Sequence, residues 1–162
     1  MNLSVYADAA DAAHAVNSNS TSQTGIYVTL GRGSIFAKSV AQNYVARALY
    51  DAEAYAMSDA IPSGIWVQDF ISECGFANEV NPGNLMEDNM SLIHSIKRGE
   101  TTSVTTRHIR IRSVFTRQFI ESGKFERIHC KTKAMIADML TKPLLGEHFE
   151  HLRDLILGYS LP

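Results

Sequence analysis

The chain has 162 residues, of which 45% are hydrophobic, and a formal net charge of −2. That is enough apolar material for one compact domain with a real core, and too balanced a charge for a general nucleic-acid binder. No run approaches the roughly 18 apolar residues of a membrane-spanning helix, no basic-then-apolar leader opens the chain, and two cysteines cannot build a disulfide framework. Cys74 and Cys130 lie 56 positions apart with no Cys or His grouping, so zinc is not expected. Buried free thiols in a reducing, intracellular compartment, cytoplasmic or nuclear, are.

The first predicted element is a strand in "LSVYADAAD", where Leu3 and Val5 alternate with Ser4 and the run ends in acids. A Ser/Asn/Thr-rich loop follows at 17–24. "GIYVTLGRGSIFAKS" reads as a hairpin turning at Gly31-Arg32-Gly33, and "YVARA" as a possible further strand. From Tyr50 to Phe76 the Ala, Glu and Met content and the 3–4 spacing of apolar residues predict a helix. Pro62-Ser63-Gly64 is expected to kink it or to split it in two, and Gly75 to stop it. "LMEDN" is a very short strand ending in an acid, and "MSLIHSIKRG" a helix closed by Gly99. "VTTRHIRIRSVFTRQFIESG" is an amphipathic helix whose core candidates are Ile109, Val114, Phe115, Phe119 and Ile120. "KFERIHC" is a strand, and "KTKAMIADMLTK" a helix with Thr132 as N-cap and Pro143 as terminator. The tail from about 144 to 162 supplies one more helix. The order βββ-α-β-α-α-β-α implies an α/β (mixed α+β) domain spanning 1–162, a mixed sheet with helices on its faces, because parallel neighbours require crossovers.

Charge is unevenly distributed along this order. Residues 1–96 hold 3 Lys/Arg against 10 Asp/Glu, whereas 97–162 hold 12 against 7. Between 107 and 133 there are eight basic residues and two acids. Either this is a solvated, salt-bridged face, or it is a strip that meets phosphates beside an acidic centre.

Four acids fall at strand ends or on helices able to reach the sheet's carboxyl edge: Asp8, Glu53, Asp88 and Asp138. Four converging carboxylates repel one another unless cations lie between them. Two Mg²⁺ about 3.5–4 Å apart would relieve that repulsion, and such a pair serves phosphodiester hydrolysis. Oxygen ligands without Cys or His favour Mg²⁺ or Mn²⁺ over zinc. Taken singly, Asp138 reads first as a solvated helical residue.

The surrounding motifs add a resemblance. "VYADAAD", "STSQTGIYVTLGRGSIFAKSVAQ", "LYDAEAYAM", "MEDNMSLI", "TRHIRIRSVFTRQFI" and "CKTKAMIADMLTKPL" occur in the order of the ribonuclease H domain of copia-type LTR-retrotransposon polyproteins. The chain resembles that domain nearly end to end. The resemblance implies a ribonuclease H-like fold with a five-stranded mixed sheet and helices on both faces. It also implies that Asp8, Glu53, Asp88 and Asp138 hold two metal ions, with Glu53 rather than Asp51 as the helical ligand. The implied activity is cleavage of the RNA strand of RNA–DNA hybrids during reverse transcription, in a longer polyprotein with a polymerase domain. The chain begins almost at its first strand, as an excised domain would.

Nucleic-acid contacts are expected from Lys38, Ser39, Gln42, Asn89, Arg107 and Arg110, against the plainer readings of a polar strand edge or, for Asn89, a helix cap. His129 is either an auxiliary to proton transfer or product release, or an ordinary strand residue; His108 reads as structural. The chain also departs from the family pattern. Ala12 and Ala13 follow Asp11 where the family has Trp, Ala37 replaces a Trp, Asp51 replaces a Glu, and Pro62-Ser63-Gly64 interrupts a smooth helix. These departures motivate an alternative, a degenerate or repurposed fragment that keeps the fold and binds nucleic acid without cutting. A three-acid nuclease of the integrase or resolvase type on the same fold is a further option.

Overall fold

A computed structural model describes residues 1–10, 21–98 and 107–159. Its elements are β1 (Ser4–Ala10), β2 (Gln23–Thr29), β3 (Phe36–Ala41), α1 (Leu49–Glu73), β4 (Gly83–Glu87), α2 (Met90–Arg98), α3 (Arg107–Glu121), β5 (Phe125–His129) and α4 (Gly146–Ile156). The five strands form one mixed sheet in the order β3-β2-β1-β4-β5. β2 pairs antiparallel with both β1 and β3, whereas β4 and β5 run parallel to β1 after helical crossovers.

The alternation of side chains along β1 divides the two faces. Val5, Ala7 and Ala9 point to the main core, with Ile26, Val28 and Leu85 from neighbouring strands, and α1 covers them with Ala52, Ala56, Met57, Ala60 and Ile61. The run of alanines lets α1 lie close to the sheet, and each large side chain fully buried there contributes about 1.5–3 kcal/mol. α2 and α3 complete that layer through Leu92 and Ile109. On the other face, Tyr27 packs with Ile136 and with Leu152 of α4, and Tyr6 meets Cys130 and Met135. Among the described residues no helix is long and apolar enough to cross a membrane.

Several expectations need correction. α1 runs unbroken through Pro62. Pro62 lies on the exposed side, while Ile61, Gly64, Val67 and Gln68 are buried around it, so packing outweighs the roughly 3 kcal/mol cost of an internal proline. Gly75, at φ +89°, follows the helix end as expected. Tyr44 to Ala48 do not form a strand, since β3 leaves β2 after Ala41; Tyr44 instead stacks on Tyr55 and meets the His108 ring edge-on at 4.3 Å. Residues 132–142 are two 3₁₀ turns, Thr132–Ala134 and Ile136–Leu140, separated by the extended backbone of Met135. This break lets Met135, Ile136 and Ala137 all reach the interior, which one α-helical face would not allow. Thr132 caps nothing with its side chain. Of the expected α3 core residues, Ile109 is fully buried, Phe115, Phe119 and Ile120 are partly so, and Val114 is exposed. Cys130 is buried but Cys74 is exposed. The part of the Ser/Asn/Thr-rich loop at 17–20, the Gly99 stop and Ala12 and Ala13 lie outside the described residues.

Candidate metal centre

The site forms where β1 and β4 part. Their parallel pairing ends at Tyr6 and Met86, while β1 stays paired with β2 as far as Ala10. Beyond Tyr6 one edge of β1 is therefore released from the ladder. There the Ala9 amide donates to Glu53 Oε2 at 3.1 Å, which fixes the helical carboxylate against the strand. Asp8 is the residue just before this amide, and Asp88 follows β4 directly. One carboxylate oxygen from each of Asp8, Glu53 and Asp88 lies within 4.8 Å of the other two. They line a cleft of about 660 Å³ together with Asn89, Lys142 and Pro143. This is the carboxyl edge of the parallel strands, beside the point where strand direction reverses, which is where open α/β sheets build sites.

Asp138 arrives from the second 3₁₀ turn and is not part of that triad. Its Oδ1 accepts from Lys142 Nζ at 2.7 Å, and the same ammonium reaches Asp8 Oδ1 at 3.3 Å. The Thr141 hydroxyl donates to Asp8 Oδ2. Both oxygens of Asp8 are thus engaged by the Thr141-Lys142 dipeptide, and one cation lies between Asp8 and Asp138. Asp8, Glu53 and Asp138 are 1%, 4% and 3% exposed, so water screens their mutual repulsion poorly.

The electrostatics follow. Burial, reinforced by Glu87, Asp8 and Asp88, raises the Glu53 pKa well above the carboxylate range. Burial takes Asp138 up to about 6 against the pull of Lys142. Desolvation works against the Lys142 ammonium, but Asp8 and Asp138 outweigh it and leave its pKa raised. Glu87, fully buried at the end of β4, is pushed to about 8 by desolvation, although the Asn89 amide donates to its Oε1 at 2.8 Å. Carboxylates held this far from their ordinary ionisation, with oxygen donors only, suit a hard divalent cation.

The other residues expected at the site are scattered. Asn89 lines the cleft, and its side-chain oxygen caps α2 by accepting from the Ser91 and Leu92 amides at 3.0 and 3.2 Å. Lys38 is exposed on β3. Ser39 accepts from Gln23 and donates to the Leu140 carbonyl, tying the edge strand to the Asp138 segment. Gln42 is committed to the interior, where its amide donates to Thr24 at 2.9 Å and to the Ala52 carbonyl at 3.0 Å; it presents no surface to a nucleic acid. Arg107 and Arg110 line a separate groove on α3 with Ile111 and Val114, away from the acids. His129 is exposed at the end of β5, opposite Glu87 in register, and does not join the triad. Asp51 is buried without joining it either.

Sequence reasoning missed Thr141, Lys142 and Glu87. The signal for Lys142 was its spacing, four residues after Asp138, the separation of an intrahelical ion pair. Glu87 stood next to Asp88 in plain view, but its burial depends on β4 lying between β1 and β5.

No family model matches the sequence. The chain is 28% identical over 142 residues, 88% of its length, to the retrovirus-related Pol polyprotein from transposon TNT 1-94 of Nicotiana tabacum, and spans 10% of that polyprotein. Its structure matches RNase H1 of the halophilic archaeon Halobacterium salinarum NRC-1 with a TM-score of 0.57 at 16% identity, covering 87% of this chain and 95% of that one. LC11-RNase H1, isolated from compost by a metagenomic approach, matches at 0.57 with 14% identity over 86% of this chain and 92% of that one. The same enzyme in complex with an RNA/DNA hybrid matches at 0.50 with 14% identity, over 86% and 94%. The fold is that of ribonuclease H, and the sequence is similar to a segment of a retrotransposon Pol polyprotein.

Proposed function

We propose that this ribonuclease H-fold chain is a divalent-metal-dependent endonuclease that hydrolyses the RNA strand of RNA–DNA hybrids, as part of a copia-type retroelement reverse transcription apparatus. The observation that carries the reading is the convergence of Asp8, Glu53 and Asp88 on one point of the cleft, with Asp138 joined to Asp8 through Lys142. The solved relative bound to an RNA/DNA hybrid supports the substrate class, and the Pol polyprotein supports a polymerase domain as partner.

Asp8, Glu53 and Asp88 would hold Mg²⁺, or Mn²⁺ in its place, and Asp138 is the candidate fourth ligand. Divalent cations bound there supply an acidified water and charge neutralisation for a phosphodiester under attack. The chain's own residues prepare the site. The Ala9 amide holds Glu53, Thr141 orients Asp8, and Glu87 accepts the Asn89 amide and so shapes the turn that carries Asp88. Asn89 is placed at the cleft wall, where a hybrid can be sensed through its 2′-hydroxyls rather than its bases.

The test is cleavage of an end-labelled RNA–DNA hybrid in Mg²⁺ or Mn²⁺. Wild-type protein cuts the RNA strand, whereas Asp8→Asn, Glu53→Gln and Asp88→Asn each lose more than the roughly 10–100-fold that removal of a partner outside a ligand set costs. A folded wild-type chain inert with both metals, yet retaining hybrid in EDTA, would establish instead a non-cleaving nucleic-acid-binding fragment.

A further inference from the structure

We propose that the Lys142 ammonium is a resident counter-ion for the Asp8–Asp138 half of the site. With Lys142 in place the chain takes one divalent cation, on Asp8, Glu53 and Asp88; a second enters only when Lys142 leaves. The inference deepens the metal-site reading above and rests on it.

Two independent observations lead here. The three acids that share one point do so without Asp138, so they offer a cation position that does not depend on it. Asp138 is instead bound by Lys142 Nζ at 2.7 Å, and that nitrogen also lies 3.3 Å from Asp8 Oδ1. A second cation bridging Asp8 and Asp138 would need the space that Nζ fills. Two cations on one carboxylate pair also repel at such short range. Binding there is therefore an exchange, one ammonium for one divalent ion.

The local structure equips Lys142 for both positions. Its backbone amide donates to the Asp138 carbonyl at 2.9 Å, so the stem of the side chain is anchored beside the acid it neutralises. Its side chain is 34% exposed, against 4% for Asp138, and it lines the open cleft. The flexible four-carbon stem can carry Nζ from the acids into that cleft by rotamer change, with Pro143 and the backbone in place. Thr141 stays on Asp8 throughout, because its bond is to the other carboxylate oxygen.

The experiment counts bound metal on the full chain without nucleic acid, by calorimetric titration with Mn²⁺ and by electron paramagnetic resonance of free Mn²⁺. Wild type should take up one ion tightly. Lys142→Met should acquire a second site or tighten a weak one by tenfold or more, with Lys142→Arg resembling wild type and the double variant Lys142→Met/Asp138→Asn returning to one. Lys142→Met should also melt lower than wild type in EDTA and gain more from Mn²⁺. Equal stoichiometry and affinity in wild type and folded Lys142→Met would overturn the inference. Should Lys142→Met not fold, the wild-type ammonium can be followed by ¹⁵N NMR. Its Lys142 signal should persist through the first equivalent of Mg²⁺ and be released by the second; release at the first would overturn the proposal. Hybrid cleavage assayed in parallel separates the two readings. One ion bound by both proteins with cleavage intact removes only the role of Lys142, whereas no metal uptake by either removes the metal site itself.

Discussion

Asp8 shows how little of a buried carboxylate's behaviour resides in the carboxylate. It is 1% exposed on a central strand, and its position is set by a hydroxyl and an ammonium that lie 133 and 134 residues away in sequence. Thr141 is therefore a positioning residue. Thr141→Val keeps the shape of the side chain and removes the donor, which should weaken Mg²⁺ binding roughly 10–100-fold, the range typical of partners just outside a ligand set. Thr141→Ser should restore most of the loss. Isothermal titration of the three proteins at one pH decides the matter, and equal affinity in Thr141→Val would exclude the role.

Elements meet this site through glycine. On β2, a Cβ added at Gly25 would lie 2.8 Å from the Ala137 carbonyl oxygen and from Thr141 Cγ2, and 2.9 Å from Leu140 Cβ. The absence of a side chain there is what lets the 3₁₀ segment carrying Asp138 rest on the sheet. On α1, a Cβ at Gly64 would lie 2.8 Å from Val5 and 2.9 Å from Phe125, so helix and sheet touch there too. Alanine normally gains about 1 kcal/mol over glycine inside a helix, but overpacking costs about 1–3 kcal/mol. Gly64→Ala should therefore lower the melting temperature without touching metal affinity, because only core side chains oppose it. Gly25→Ala meets a backbone carbonyl and should lower both, as the Asp138 segment is lifted from Asp8. Thermal melts paired with Mg²⁺ titrations distinguish the two, and unchanged metal affinity in Gly25→Ala would show that the segment repacks without loss.

At the scale of the whole molecule, the fold stores electrostatic cost around one cleft. Glu87 is raised to about 8, Asp138 to about 6, and Glu53 well above its ordinary value, all three primarily by burial. Each binds a proton more readily folded than unfolded between roughly pH 4 and 8. Their linkage therefore favours the native state at the acid end of that window, and stability falls as pH rises through the folded pKa values. The raised pKa of Lys142 acts only above its ordinary value of 10.5, outside this window. In EDTA the melting temperature should drop between pH 5 and pH 8, by an amount on the order of 3 kcal/mol in stability. Mg²⁺ should flatten the decline, and Glu87→Gln should remove part of it and raise stability at pH 8. Differential scanning calorimetry across the pH series provides the check; a melting temperature that rises toward pH 8 in EDTA contradicts the scheme.

Much of this architecture was already legible in the chain. Alternation marked β1, β-branched runs around a glycine turn marked the β2–β3 hairpin, and 3–4 spacing marked α1, because those patterns reflect local backbone preference and which side of an element is buried. The four acids were singled out by the family resemblance of the motifs around them, because a chain with 17 acids offers many other sets at strand ends and on helices. Tertiary packing decided the rest. It held α1 continuous across Pro62, because the buried residues on either side outweigh one missing hydrogen bond. It broke the expected helix at 132–142 into two turns, because three consecutive apolar side chains had to face inward. It also assigned Gln42 to the interior, and Lys142 to the gap between Asp8 and Asp138. Spacing along the chain can say that a lysine is near an aspartate. Only the sheet, by bringing the first strand against the 3₁₀ segment over Gly25, decides that one ammonium lies between two buried carboxylates.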